Sequence, residues 1–376
     1  PGKEKKMKTS PILYSEMRKW LKSAGLSGLA LEKLTLCLRY AIECNRPSLT
    51  WWEAKSGLKR GFLRNGFLAR YHEKVDLASY VMANIHSQVI PIVVDYTDID
   101  PAGRDTWRKL LVFAIPTKKG RAIPVCSDVL TSSDIDSTQE LSENAFEKRN
   151  IRGLNDKAKA LNKRIILIGD RGYADGKMFL FLKKQGIGFA IRVPCNVEIE
   201  LEEGKWIPLR ELLTAPSERV IFLRGIRYSK EHTLKLNILA TWKRGEDEPW
   251  FIATNLSEPS EALRYYEKRF LIEETFKSTK THEKLERIRS RNRDVLKGMI
   301  SILLLACALL ILIGMAIEPV FSTLVPALRA YAERYSVYTK ALLCLERLRR
   351  EWSNLLCPNN LLAIADRALF LANEGV

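Results

Sequence analysis

"RIILIGDRGYAD", residues 164–175, is five apolar or glycine positions after a lone arginine, closed by Asp170. "QVIPIVVDYTDID", residues 88–100, has the same build and closes on Asp95. A continuous apolar run of this length suits a strand covered on both faces, because a half-exposed strand would alternate. Each run therefore predicts a central strand that delivers a carboxylate at its end. Asp98 and Asp100 offer other carboxylates, but they fall in the following loop, so Asp95 is the one the strand positions. Between and after these runs, "WRKLLVFAIPTKKGRAIPVC" predicts a hairpin turning at Lys118, Lys119 and Gly120. "STQELSENAFEKRNIRGLNDKAKALNK" predicts a helix, "GKMFLFLKKQG" a shorter helix with Gly186 as its C-cap, and "IGFAIRV" a fifth strand. Three strands, helix, strand, helix, strand make an α/β unit with a mixed sheet.

Outward from this core the texture changes twice. "VEIEL", "VIFLRG", "LKLNILAT" and "WFIATN", within residues 194–256, read as short strands of a β-rich insertion. Residues 10–87 read as short helices with dense Lys and Arg, and residues 291–376 as helical throughout. The net charge of +17 is uneven: residues 1–80 hold 16 Lys or Arg against 7 Asp or Glu. A basic end on a folded chain favours a polyanionic partner such as nucleic acid. The seven cysteines are dispersed and form no C-x-x-C, and the four histidines lack ligand spacing. A zinc centre and a disulfide framework are both disfavoured. "GMISILLLACALLILIGMAI", residues 298–317, is long enough to cross a bilayer. A helix buried all round is the favoured reading, with Gly298 and Gly314 allowing close packing. The basic N-terminal stretch lacks the apolar segment of a signal peptide.

"YYEKRFLIEETFKSTK", residues 265–280, carries the remaining chemistry. At about 100° per residue, Tyr266, Arg269, Glu273 and Lys280 share one arc of a helix of roughly 60°, while Glu274 points elsewhere. A carboxylate flanked by a phenol and two cations is either a surface ion-pair stripe or a site for a metal beside a polyanion. Asp95 and Asp170 on neighbouring strands, with a third carboxylate from a helix across the sheet, would suit hard divalent cations, which take oxygen ligands.

The spacing Y-x2-R-x3-E-x6-K at Tyr266, Arg269, Glu273 and Lys280 resembles the signature of a large group of bacterial insertion-sequence DDE transposases. "DRGY" and "VVDYTDID" resemble the segments around that group's two aspartates. The resemblance implies an RNase H-like core with a mixed five-stranded sheet, a β-rich insertion before the glutamate, and flanking helical regions. The implied domains are a helical basic DNA-binding domain over 1–87, a catalytic core over 88–193 and 257–290, the insertion over 194–256, and a helical C-terminal region over 291–376. Asp95, Asp170 and Glu273 would bind two Mg2+ ions, with Mn2+ able to substitute. Tyr266, Arg269 and Lys280 would hold phosphates, with Arg171 of the DRGY segment a further DNA contact. Trp250 would either stack on a flipped base or pack between insertion and core. The implied activity is cleavage of transposon ends and transfer of their 3′-OH groups to target DNA, through a hairpin intermediate, by a homodimer in a synaptic complex. A cytoplasmic, nucleoid-associated location without a membrane follows. Phe270 departs from the group, whose members often carry Trp after the arginine. The competing readings are a non-catalytic DNA-binding descendant, an RNase H-like nuclease without strand transfer, and a membrane-tethered enzyme.

Overall fold

The computed structural model describes residues 17–22, 25–44, 47–99, 108–131, 143–230, 234–282, 284–288, 290 and 292–351. The expected helical segments at residues 10–16, 137–142 and 352–376, together with Asp100 and Cys357, lie outside the described residues. The chain divides into two compact units. The first comprises the described residues of Pro1–His86, Thr117–Val125 and Glu274–Val376, and the second those of Ser87–Pro116 and Cys126–Glu273.

The first unit opens with α1 (Gly28–Cys44), α2 (Leu49–Ser56), α3 (Phe62–Leu68) and α4 (Leu77–Ala83). Leu31, Leu34, Leu38 and Ala41 of α1 recur at helical spacing and are buried. Ser48 caps α2 by accepting from the Trp51 N–H at 3.4 Å. Glu53 of α2 is itself buried, and its carboxylate accepts from the N–H groups of Gly61 (2.9 Å), Leu63 (2.9 Å) and Arg64 (3.4 Å). It thereby supplies the partners that the first turn of α3 lacks.

The second unit is built on a sheet. Its strands are β1 (Val89–Asp98), β2 (Arg108–Pro116), β3 (Ala122–Thr131, which begins in the first unit), then α5 (Glu143–Ala160), β4 (Arg164–Gly169), α6 (Gly176–Lys184) and β5 (Gly188–Arg192). Then come β6 (Glu198–Glu202), β7 (Lys205–Pro208), β8 (Ser217–Tyr228), β9 (Leu234–Trp242) and β10 (Trp250–Thr254). The order is β3-β2-β1-β4-β5-β10-β9-β8-β6-β7. β1 pairs antiparallel with β2 and parallel with β4, and β4 pairs parallel with β5. Parallel neighbours need a crossover, which α5 and α6 provide. The first five strands in this order are the α/β unit and mixed sheet that the sequence predicts. The sheet does not stop there, however. β10 pairs antiparallel with β5 and carries β9, β8, β6 and β7 behind it, so the β-rich segment extends the same sheet. Continuation covers a β5 edge that would otherwise present unpaired N–H and C=O groups.

Four longer helices follow among the described residues: α7 (Pro259–Glu267), α8 (Phe270–Thr281), α9 (Arg293–Ile317) and α10 (Val337–Glu351). The expectation of one continuous helix through residues 265–280 is corrected here. α7 stops at Glu267, a turn closes with the Arg269 N–H donating to the Tyr266 carbonyl at 2.9 Å, and α8 starts at Phe270. Among the described residues α9 is the one helix long and apolar enough to cross a membrane, and 89% of its most apolar window is buried in the protein. It is the core helix of the first unit. A Cβ on Gly314 would lie 1.8 Å from the Val337 carbonyl oxygen of α10, so only glycine permits that approach.

Candidate active site

Asp95 and Asp170 reach the same level because of strand register. Val93 of β1 pairs with Ile168 of β4 in the parallel ladder, and each aspartate lies two residues further on. Two residues is one full pleat repeat, so both side chains leave the sheet on one side. Asp170 follows the end of β4, but Asp95 lies inside β1, which stays paired with β2 as far as Asp98; the expectation that Asp95 ends its strand and Asp98 falls in a loop is corrected here. Asp170 also begins a 3-10 turn, accepting from the Gly172 N–H at 2.8 Å. Asp95 accepts from the Tyr96 N–H at 2.8 Å.

Glu273 sits in the first turn of α8, and Arg269 joins it to the strand. Arg269 Nη2 lies 2.6 Å from Glu273 Oε1, and its Nη1 lies 3.8 Å from Asp95 Oδ2. Burial pushes the Asp95 carboxyl up to about 6, and the negative charges of Asp170 and Glu273 push the same way. The Tyr96 N–H and Arg269 oppose that rise without cancelling it. Three carboxylates thus face one another electrostatically with one guanidinium among them, and Asp95 holds its proton more tightly than an ordinary carboxylate.

The other predicted site residues divide. Tyr266 is fully buried; burial raises its hydroxyl pKa, with Arg269 and Arg192 working the other way. Trp250 is 8% exposed and is covered by Tyr266 (5.3 Å, edge-on) and Phe270 (5.8 Å, tilted). Phe270 is the exposed ring of this stack at 38%, with the Arg269 guanidinium 4.5 Å from its centre. Arg171 pairs with Glu248, which also holds Arg192 at 2.9 Å. Lys280 belongs to the first unit, where its ammonium pairs with Glu286 at 3.2 Å. Glu274, expected to take no part at the metals, pairs in that unit with Arg121 (3.3 Å) and Lys277 (3.4 Å).

The sequence reading missed Glu147. It lies on α5 in line with Ile151, Leu154 and Ala158, and only 6% of it is exposed. Its carboxyl is pushed up to about 8, first by burial and then by Glu143, with Asp170 adding. A carboxylate at helical spacing within an apolar stripe was the available signal. Glu147, Asp95 and Asp170 line a cleft of about 410 Å³ together with Tyr96, Tyr173 and Asn144. The Tyr96 and Tyr173 rings stack 6.3 Å apart and nearly parallel.

Among the described residues no group of three or more His, Cys, Asp or Glu is spaced to hold a metal ion. Arg269 spans the gap between Asp95 and Glu273 instead. The donor chemistry nevertheless fits a hard divalent cation: every candidate ligand is a carboxylate oxygen. Asp95 is raised first by burial and then by the charges of Asp170 and Glu273, and a cation at these carboxylates would oppose that rise.

Residues 140–310 match the family model described as the transposase DDE domain. The matched stretch contains Asp170 and Glu273 and starts after Asp95, whose place beside them rests on the sheet register. The mixed sheet with flanking helices is consistent with an RNase H-like transposase fold, and the match supports a DDE transposase family. The match supports transposase activity in general with DNA as the partner, and that family normally uses divalent metals. No curated protein matches the chain.

Proposed function

We propose that this protein cleaves the ends of a transposable element and joins their 3′-OH groups to target DNA, with Asp95, Asp170 and Glu273 as the catalytic carboxylates. The observation that carries this reading is the register-matched pair Asp95 and Asp170 with Glu273 held beside Asp95 through Arg269. The three carboxylates would hold two Mg2+ ions, with Mn2+ able to replace them. Ions so bound supply Lewis-acid stabilisation of the phosphoryl oxygens and lower the pKa of an attacking water. Arg269 is 11% exposed and already charged beside the carboxylates. When cations take over its role there, its planar fork is free for a bidentate contact with phosphate. Lys280 and Arg171 are the further phosphate contacts of this scheme, and Tyr266 is the buried support on which Arg269 and Trp250 rest. Two copies of the chain would hold two DNA ends in one synaptic complex.

Hydrolysis frees a 3′-OH, attack of that hydroxyl on the opposite strand forms a hairpin, hydrolysis opens it, and the 3′-OH then attacks target DNA. The protein's part in such phosphoryl transfers is positioning and charge compensation. The test uses a duplex carrying the inverted repeats that flank the coding sequence, with Mg2+. Asp95→Ala, Asp170→Ala and Glu273→Ala should each cut cleavage to about a thousandth or less while duplex binding persists. Full cleavage by any one of them removes that residue from the set and the reading with it. Trp250→Ala should slow hairpin formation more than first-strand nicking. Equal slowing of both steps would leave Trp250 a packing residue only, in keeping with its cover by Tyr266 and Phe270.

A further inference from the structure

The cleft beside the two aspartates has a composition the three-carboxylate scheme does not use. Arg269 and Glu273 do not line it, so it meets Asp95 and Asp170 on its own terms. Its wall holds Glu147, which is 6% exposed, and Tyr173, which is 2% exposed. The Tyr173 hydroxyl is buried and has no hydrogen-bond partner among the described residues. The same is true of Asn144 Oδ1, although Asn144 Nδ2 donates to Asp175. A buried hydroxyl without a partner forfeits its hydration, so such atoms in native proteins point to something small and polar that completes them.

Water meets that description. A cleft of about 410 Å³ admits several molecules, each occupying about 30 Å³, and a buried water needs two to four polar partners. Glu147 offers acceptors, Tyr173 a donor and an acceptor, and Asn144 a further acceptor.

We infer that this cleft is the chamber of the hydrolytic water, and that Glu147 and Tyr173 hold that water for attack at a phosphate bound over Asp95 and Asp170. The inference rests on the transposase reading above and adds a residue to it. In the step so served, the water oxygen forms a new P–O bond while the bond from phosphorus to the 3′ oxygen breaks. The electron pair of the broken bond stays on the 3′ oxygen. One proton of the water ends on that oxygen through the cleft waters, giving the 3′-OH, and the other is lost from the 5′-phosphate to solvent. Strand transfer does not draw on the chamber, because its nucleophile is a DNA hydroxyl positioned by the bound DNA itself.

The test separates the two nucleophiles. Full-length wild type, Glu147→Leu and Tyr173→Phe are assayed with Mg2+ on the intact flanking-repeat duplex and on the same duplex already cut to a 3′-OH. Glu147→Leu should lose about 100-fold in hydrolysis and less than about 3-fold in strand transfer from the cut duplex. Tyr173→Phe, which removes one hydroxyl and keeps the ring, should lose about 10-fold in hydrolysis alone. Equal losses in both reactions overturn the inference and make the two residues structural. A crystal structure of the free protein should show an ordered water within hydrogen-bond reach of both Glu147 and Tyr173, and a dry cleft overturns the inference without any assay. If wild type performs neither reaction on a duplex it binds, the transposase reading has failed, and the chamber loses its role with it.

Discussion

Glu53 in the first unit and Asp95 in the second are both carboxylates removed from most solvent, yet their surroundings are opposites. Glu53 is 3% exposed and every neighbour it bonds is a backbone donor: Gly61, Leu63 and Arg64 each give it an N–H. Asp95 has one such donor, from Tyr96, and its other close company is two more carboxylates and a shared arginine. One carboxylate is consumed by the fold, and the other is left in a state the fold alone does not satisfy. Burial of a charge does not tell these cases apart, but the inventory of partners does.

The comparison breaks first on stability. Glu53→Ala leaves three buried or half-buried N–H groups at the start of α3 without acceptors. It should cost about 3 kcal/mol in chemical denaturation, with DNA cleavage per folded molecule unchanged. Asp95→Asn should show the reverse, with cleavage lost and stability kept or raised. A Glu53 variant that is as stable as wild type would mean that water replaces the carboxylate, and the contrast between the two sites would collapse.

The second effect is the pH dependence of the free chain with chelator present. Asp95 moves from an ordinary 3.8 in the unfolded chain to about 6 in the fold. Between those values the folded state binds more protons than the unfolded one. The stability associated with Asp95 is therefore full below about pH 4 and is lost as pH rises through about 6. The loss is about 3 kcal/mol, and Asp95→Asn should remove most of it from a urea titration followed between pH 4 and 7. Glu147, raised to about 8, prolongs the same slope to higher pH, so Asp95→Asn should flatten only its acidic part. Added Mg2+ should restore stability at pH 7 and not at pH 4. A slope that is unchanged in Asp95→Asn would place the excess negative charge elsewhere.

Asp95 and Asp170 were legible in the sequence because each closes a continuous apolar run, although the end of the run marks the end of the strand only at Asp170: β1 stays paired with β2 past Asp95 as far as Asp98. The mixed α/β sheet was legible from the same runs and the helices between them, whereas the strand order that sets β4 beside β1 was not. The arc of Tyr266, Arg269, Glu273 and Lys280 was read on one continuous helix, and the structure breaks that helix at Lys268 and Arg269. Spacing carries no sign of the turn at Lys268 and Arg269, which contains neither Gly nor Pro. The extension of the sheet through β10 was hidden for a different reason. Edge pairing is a long-range event between β5 and a strand some 60 residues later, and local pattern does not encode partners. Glu147 stood in plain view within its apolar stripe, but one acidic residue in a basic, charge-rich helix reads as a solvated face until its neighbours are known.

The smallest expected effect concerns a cation, and it applies the same partner inventory to the opposite charge. Arg269 is held between carboxylates at 11% exposure, whereas Lys280 is 34% exposed and has a single exposed acid, Glu286, as its partner. An exposed pair of that kind contributes little to stability, so Lys280→Ala should leave the unfolding free energy within about 0.5 kcal/mol. If Lys280 contacts a phosphate, its removal releases one fewer counterion on binding. The slope of log K against log salt for the flanking-repeat duplex should then fall by about 0.9, with a modest loss of affinity at low salt. Glu286→Gln, which frees the lysine, should leave that slope intact and strengthen binding slightly by removing a competing anion. A slope unaltered in Lys280→Ala would make the Lys280–Glu286 pair a surface ion pair and nothing more. It would also leave Arg269 as the cation of the helix arc whose partners mark it for phosphate.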